Sequence, residues 1–234
     1  MAKKPTPAAK KAAGPPKEKV EFFYDVVQGG DEWLELRRGI LTASNFKIVL
    51  REGVDGEASK MREKLLYTLA GERLSGKVAE TFRSEAMSRG HQMEPAARDY
   101  YERTTFGAKV RQVGFVRRTM ITPLGREIVI GASPDAQVDD ARGLEIKTLA
   151  PHLMIAQAKS GKFPSEHYAQ LMGTAFVCGW SEMDLLLFYE GMPVAPRFRV
   201  ALDNAFVTKI VQAIEVFDYE LSVLVRDIKA MSKS

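Results

Sequence analysis

The chain has 234 residues, 45% hydrophobic and 27% charged, with 34 basic and 30 acidic side chains and a single cysteine. That is enough for one large domain with a real core, or two small ones at most. It excludes a disulfide framework, and with no long apolar run for a membrane span and no apolar signal core, a reducing cytoplasm is the expected compartment.

Residues 1–17 hold five lysines (Lys3, Lys4, Lys10, Lys11 and Lys17) and no acid; without them 29 basic side chains face 30 acidic ones. The body is therefore near neutral, and any nucleic-acid contact there must come from local patches. Residues 1–19, rich in Ala, Pro and Lys, cannot bury a core and are expected to be a disordered tail, with 20–234 as a single domain. The tail could touch phosphates without specificity or only aid solubility.

Glu32–Arg38 has helical spacing and stops at Gly39; Thr42-Ala43-Ser44 opens the next helix, with Ser44 as N-cap. Gly53–Gly56 reads as a loop. Met61, Leu65, Leu66 and Leu69 recur at helical spacing, and a further helix runs from Phe82 to Arg103, disturbed by Gly90 and Pro95. Strands follow near 109–117, 127–131, 135–139 and 143–148, then helices near 151–158 and 165–179. Cys178 lies in the second of these as an inert core residue. Met183–Tyr189 and Arg197–Leu202 read as paired strands. The C-terminal stripe Val207, Ile210, Ile214, Phe217, Leu221, Leu224 and Ile228, widened by Val211 and Val225, predicts a long helix covering one sheet face. The sum is an α/β domain with a mixed central β-sheet flanked by helices.

The chemistry concentrates where Gly131-Ala-Ser-Pro-Asp135 is followed by Glu145-Ile-Lys147. Two carboxylates a few Å apart repel by roughly 4 kcal/mol at an effective dielectric near 20, which a cation between them relieves. Mg²⁺ takes oxygen ligands, keeps several waters and shares substrate phosphate oxygens. Glu145 and Lys147 lie two apart on a strand and so face one side. The Lys147 ammonium could orient a water or steady developing charge. Ile146 turns its side chain to the core and leaves its carbonyl for a metal. This trio points to hydrolysis of a nucleic-acid backbone; read without its context, it is also what an exposed charged hairpin would carry.

Other segments add to it. Glu94, in Arg89-Gly-His-Gln-Met-Glu94, is a third carboxylate, meaningful if its helix packs beside the strand ends. Trp33, Arg37, Thr42 and Ser44 put an aromatic, a guanidinium and two hydroxyls around a helix junction suited to a phosphate. Gln170 sits on an apolar helix, where its amide could bond the lysine, the attacking water or a backbone group. His91, His152 and His167 lack zinc spacing, and there is no phosphate-loop motif for ATP.

In order, these blocks resemble the lambda-type phage exonucleases, the viral recombinase branch of the PD-(D/E)XK nucleases. The resemblance runs from about Trp33 to Gly179. It is carried by Trp33, Arg37, Gly39, Thr42 and Ser44; by Arg89, Gly90 and Glu94; by Ser133-Pro-Asp135; by Leu144-Glu-Ile-Lys147; and by the Ala169-Gln170 pair. It implies a restriction-endonuclease-like core in which Asp135, Glu145 and the Ile146 carbonyl bind Mg²⁺ (Mn²⁺ as an alternative). Glu94 would serve a second ion or its water, and Lys147 and Gln170 would position the nucleophile. Arg37 and Ser44 would hold the 5′-phosphate of a linear duplex DNA. The implied activity is 5′→3′ degradation of one strand, leaving 3′ overhangs, by a homotrimer working with a single-strand annealing protein in the host cytoplasm. This chain has Ala136, Thr148-Leu149 and Met172 where the family usually has Gly, Cys-Pro and a second Gln. The alternatives are a structure-selective or site-specific endonuclease on the same core, or a catalytically silent DNA-binding scaffold.

Overall fold

The computed structural model describes residues 18–50, 56–79, 85–122 and 125–232. The basic segment 1–17, the loop at 53–55 and the expected helix start at 82–84 lie outside the described residues.

The order is β1 (Lys19–Phe23), α1 (Asp31–Arg37), β2 (Leu41–Thr42), a 3₁₀ turn at Ala43–Asn45, α2 (Phe46–Val49), α3 (Glu57–Ser75) and α4 (Glu85–Thr104). Then come β3 (Val110–Arg111), β4 (Phe115–Ile121), β5 (Glu127–Ala132), β6 (Ala136–Val138) and β7 (Arg142–Thr148). After α5 (Pro151–Ser160), a 3₁₀ turn at Ser165–His167 leads into α6 (Tyr168–Cys178), β8 (Glu182–Phe188), β9 (Arg197–Ala201) and α7 (Asn204–Met231).

The strands form two mixed sheets, ordered β1-β4-β5-β2 and β3-β6-β7-β8-β9. Each has one parallel pair, β2 with β5 and β7 with β8, among antiparallel ones. Ser133-Pro134-Asp135 is the bend that carries the chain from β5 in one sheet to β6 in the other. Gly131 permits the tight packing just before it, since a Cβ there would lie 2.2 Å from the Phe115 ring. One core gathers α2, α6 and α7 around both sheets; a second packs Ala97 and Tyr101 of α4 on Leu144, Ile146 and Leu186.

Several expectations need correction. β1 begins at Lys19, inside the expected tail, and pairs with β4 from Lys19↔Thr119 onward. Ser44 does not cap a helix: it sits within the 3₁₀ turn, Thr42 holds the cap position, and neither that turn nor α2 has a side-chain cap bond. Pairing of Thr42 with Gly131 in β5 fixes where the strand ends and the turn begins. The α4 helix runs unbroken through Gly90 and Pro95, because tertiary packing of its buried face outweighs local propensity. The α7 stripe buries Val207, Ile210, Ile214, Phe217 and Leu221, but packs mainly on α3, α2 and α6 rather than on a sheet face. Its start is capped by Asp203, whose carboxylate accepts from the Phe206 amide at 3.0 Å. Among the described residues no helix is long and apolar enough to cross a membrane.

Candidate active site

The β6–β7 pairing places Ala136 opposite Leu144, so Asp135, one step further out, stands across from Glu145. Both are buried, at 9% and 3% exposure, where two like charges repel most strongly. Asp135 Oδ2 accepts the Ile146 amide at 2.6 Å. Burial first, then the charges of Glu145 and Glu94, holds the Asp135 carboxyl well above the usual carboxylate range.

Strand alternation puts Lys147 on the face of Glu145, and its Nζ lies 2.7 Å from Glu145 Oε1. Burial pulls the Lys147 ammonium toward neutrality, but Glu145, Asp135 and Glu94 reverse this and leave its pKa raised. From α6, Gln170 Nε2 donates to the same Oε1 at 2.5 Å. Glu145 Oε2 is buried and, among the described residues, has no hydrogen-bond partner.

The α4 helix packs against β7 and β8, bringing Glu94 to the strand ends. Its carboxylate lies 3.0 Å from His91 Nδ1 and 3.6 Å from Arg98. Burial raises the Glu94 pKa, with His91 and Arg98 opposing and Glu145 adding to the rise. The site thus collects Asp135, Glu145 and Glu94 around Lys147, with carboxylate charge in excess.

A second cluster adjoins it. Trp33 Nε1 and Arg37 both donate to Ser133 Oγ, at 2.9 and 3.1 Å. Arg37 also reaches Thr42 Oγ1 at 3.4 Å, and Thr42 Oγ1 is 3.2 Å from Ser44 Oγ. The guanidinium lies 4.1 Å from the centre of the Trp33 ring. Burial lowers the Arg37 pKa to about 10, with Glu72 pulling it back up, so it stays cationic at neutral pH. Trp33, Arg37, Thr42, Glu72 and His91 line a cleft of about 250 Å³. His91 also lines a neighbouring cleft of about 450 Å³ with Gln28, Glu94 and Arg98. Ser133 and Asp135 therefore serve two adjoining centres from one three-residue bend.

The candidate site residues Trp33, Arg37, Thr42, Ser44, Glu94, Asp135, Glu145, Ile146, Lys147 and Gln170 fall into these two clusters. Sequence reasoning gave no role to Ser133, although it lies inside a recognised block. Glu72, His91, Arg98 and Gln28 also went unassigned. Gln28 Nε2 donates to the Val113 and Pro134 carbonyls at 2.8 and 3.0 Å, latching the bend.

Among the described residues no group of three or more His, Cys, Asp or Glu side chains converges closely enough to hold a metal ion. The donors nevertheless fit a hard cation. A buried carboxylate oxygen without a partner, as at Glu145 Oε2, is costly to desolvate and would be satisfied by one. Mg²⁺ needs few protein ligands, because it retains water.

Residues 32–181 match the YqaJ-like viral recombinase domain, covering more than half of the sequence. The chain belongs to that family. Family membership agrees with the order of the blocks from Trp33 onward. No curated protein matches. Among solved structures, an alkaline exonuclease, LHK-Exo from Laribacter hongkongensis, shares 27% identity over 87% of this chain and 98% of its own, with a TM-score of 0.72. The same enzyme in complex with dAMP gives 0.71. A phage related exonuclease from Haemophilus somnus 129PT, 13% identical over 83% of this chain and 99% of its own, gives 0.55 and shares the fold. The fold of this chain is that of the PD-(D/E)XK nucleases.

Proposed function

We propose that this family member is a Mg²⁺-dependent 5′→3′ exonuclease that degrades one strand of linear duplex DNA and leaves 3′ overhangs for phage single-strand annealing recombination. One observation carries the reading. Glu145 is gripped on one oxygen by Lys147 and Gln170, keeps its other oxygen buried and without a partner among the described residues, and faces Asp135. The exonuclease relatives support it.

Asp135, Glu145 and the Ile146 carbonyl would hold the ion, Mg²⁺ or Mn²⁺. Glu94, already engaged by His91 and Arg98, would serve a second ion or its water. When bound, the cation lowers the pKa of its water and neutralises charge building on the phosphate. Lys147 orients the attacking water and stabilises the extra negative charge on the phosphoryl oxygens. Gln170 fixes Glu145, and so the line of attack. Water adds to phosphorus, the bond to the 3′-oxygen of the terminal nucleotide breaks, and a 5′-mononucleotide leaves. Arg37, Thr42, Ser44 and Trp33 hold the 5′-phosphate of the end, and the bend 133–135 keeps that pocket next to the cutting site.

The same reading takes the chain from β1 onward as one nuclease domain, in the host-cell cytoplasm, as a homotrimer working with an annealing protein. Exposed Leu153 and Ile155 on α5, which follows the catalytic strand directly, support a contact with another copy.

End-labelled linear duplex incubated beside a covalently closed circle tests the reading. The linear DNA should lose nucleotides from its 5′ ends, the circle should survive, and chelator should stop the reaction. Lys147→Ala should lower the rate by roughly 10²–10³-fold, as loss of a group stabilising transition-state charge does. Cleavage of the circle would indicate an endonuclease instead, and undiminished activity in Lys147→Ala would remove the proposed site.

A further inference from the structure

The loop that follows Arg37 is held by a pair of residues on another helix. Arg37 is followed by a tight turn in which its carbonyl accepts the Ile40 amide at 3.0 Å. Gly39 makes that turn at φ 66°, a left-handed conformation that L side chains seldom adopt. Both polar groups of the Gly39 backbone are taken by neighbours on α3. Its amide donates to Glu72 Oε2 at 2.6 Å, and its carbonyl accepts from Arg73 Nε at 2.8 Å. The other oxygen of Glu72 accepts the Ala79 amide at 3.0 Å, next to Val78 on the rim of the Arg37 cleft. Arg73 in turn pairs with Asp218 of α7 at 3.2 Å, and Asp218 with Arg126 at 2.7 Å.

A carboxylate lining a cleft meant for a phosphate is unexpected, since its charge repels the ligand. A neutral acceptor could have served one backbone amide without that repulsion. Glu72 serves two amides at once through its two different oxygens, whereas a glutamine that accepts one amide would turn its own N–H donors toward the other. We propose that Glu72, with Arg73 beside it, is a positioning residue that fixes Arg37 for a DNA 5′-phosphate and thereby sets a preference for phosphorylated ends. This rests on the end-binding reading above. The carboxylate fixes the loop after Arg37 and the rim opposite, and the chain from Arg73 through Asp218 to Arg126 anchors both to the body of the domain.

The test compares duplexes carrying a 5′-phosphate or a 5′-hydroxyl, with wild type, Glu72→Gln, Arg37→Ala and the double variant, in Mg²⁺. Glu72→Gln should raise KM for phosphorylated ends about tenfold, in keeping with one lost charged hydrogen bond. It should leave kcat, and both constants on hydroxyl ends, nearly unchanged. In the Arg37→Ala background it should have no further effect on the phosphate preference. Arg73→Lys, which keeps the charge but loses the Nε donor, should shift KM in the same direction, and it decides the matter if Glu72→Gln does not fold. A lower KM for phosphorylated ends in Glu72→Gln would mean that the carboxylate only tempers phosphate affinity, and would overturn the proposal. Equal losses on both ends, or effects additive with Arg37→Ala, would overturn it too. Were the wild type indifferent to the phosphate, or Arg37→Ala without effect on that preference, the end-binding reading itself would fail.

Discussion

Asp135 shows how a single side chain can be set against the stability of its own fold. Its buried carboxyl faces Glu145 and feels Glu94, and its pKa is raised well above the ordinary 3.8. A carboxyl raised on folding binds its proton in the folded chain at a pH where the unfolded chain has released it. Ionisation therefore subtracts from stability above the raised value, and the penalty vanishes below the ordinary one. Asp135→Asn keeps an oxygen for the Ile146 amide and removes the charge. In chelator at alkaline pH it should melt a few degrees above wild type, where about 1 kcal/mol moves the midpoint by roughly 2–4 °C. The gap should close as the pH falls toward the ordinary carboxylate range. Mg²⁺ should raise the wild-type midpoint and leave that of the variant alone, while nucleotide release is lost. An Asn variant that melts below wild type in alkaline chelator would refute this account of the site.

The α4 helix shows the same dependence in a whole element. Glu94 reaches the strand ends only because the helix is docked two turns later. There the Tyr101 hydroxyl donates to Asp184 of β8, a fully buried carboxylate that Arg199 also grips through two nitrogens at 2.8 and 3.1 Å. Arg142 approaches it from β7 at 3.5 Å. Asp184→Ala strips partners from a buried hydroxyl and two guanidinium groups. It should destabilise the fold by about 3–5 kcal/mol, the usual result of breaking one side of a buried ion pair. Urea denaturation measures this; a loss below about 1 kcal/mol would mean that α4 is held by its apolar face alone.

In the molecule as a whole, the candidate site lies where the two sheets meet, and its walls come from α1, α3, α4 and α6. On the proposed reading such a site would handle one DNA end, and holding the strand through many cycles would call for a surface beyond it. The α5 helix buries Met154 and leaves Leu153 and Ile155 about half exposed, at 47% and 53%. A charged pair there, Leu153→Glu with Ile155→Glu, should shift the assembly toward monomer in sedimentation. It should shorten the tract removed per binding event more than it lowers the initial rate. An unchanged mass would place any contact between copies elsewhere.

Much of this was legible in the residues, because short-range periodicity is local. Alternation along β7 places Glu145 and Lys147 on one face, and the stripe from Val207 to Leu221 requires a long helix whatever it packs against. The order of the Trp33, Glu94, Asp135 and Glu145 blocks carried the family and the fold. Distance along the chain hid the rest. Glu72 meets Gly39 across 33 residues, and Trp33 meets Ser133 across 100, contacts that no local spacing encodes. The partners of α7, the split into two sheets, and the lone oxygen of Glu145 likewise arose when separate segments packed. Sequence sets which side chains share a face; packing sets which faces meet, because burial rewards any apolar partner and does not specify which one.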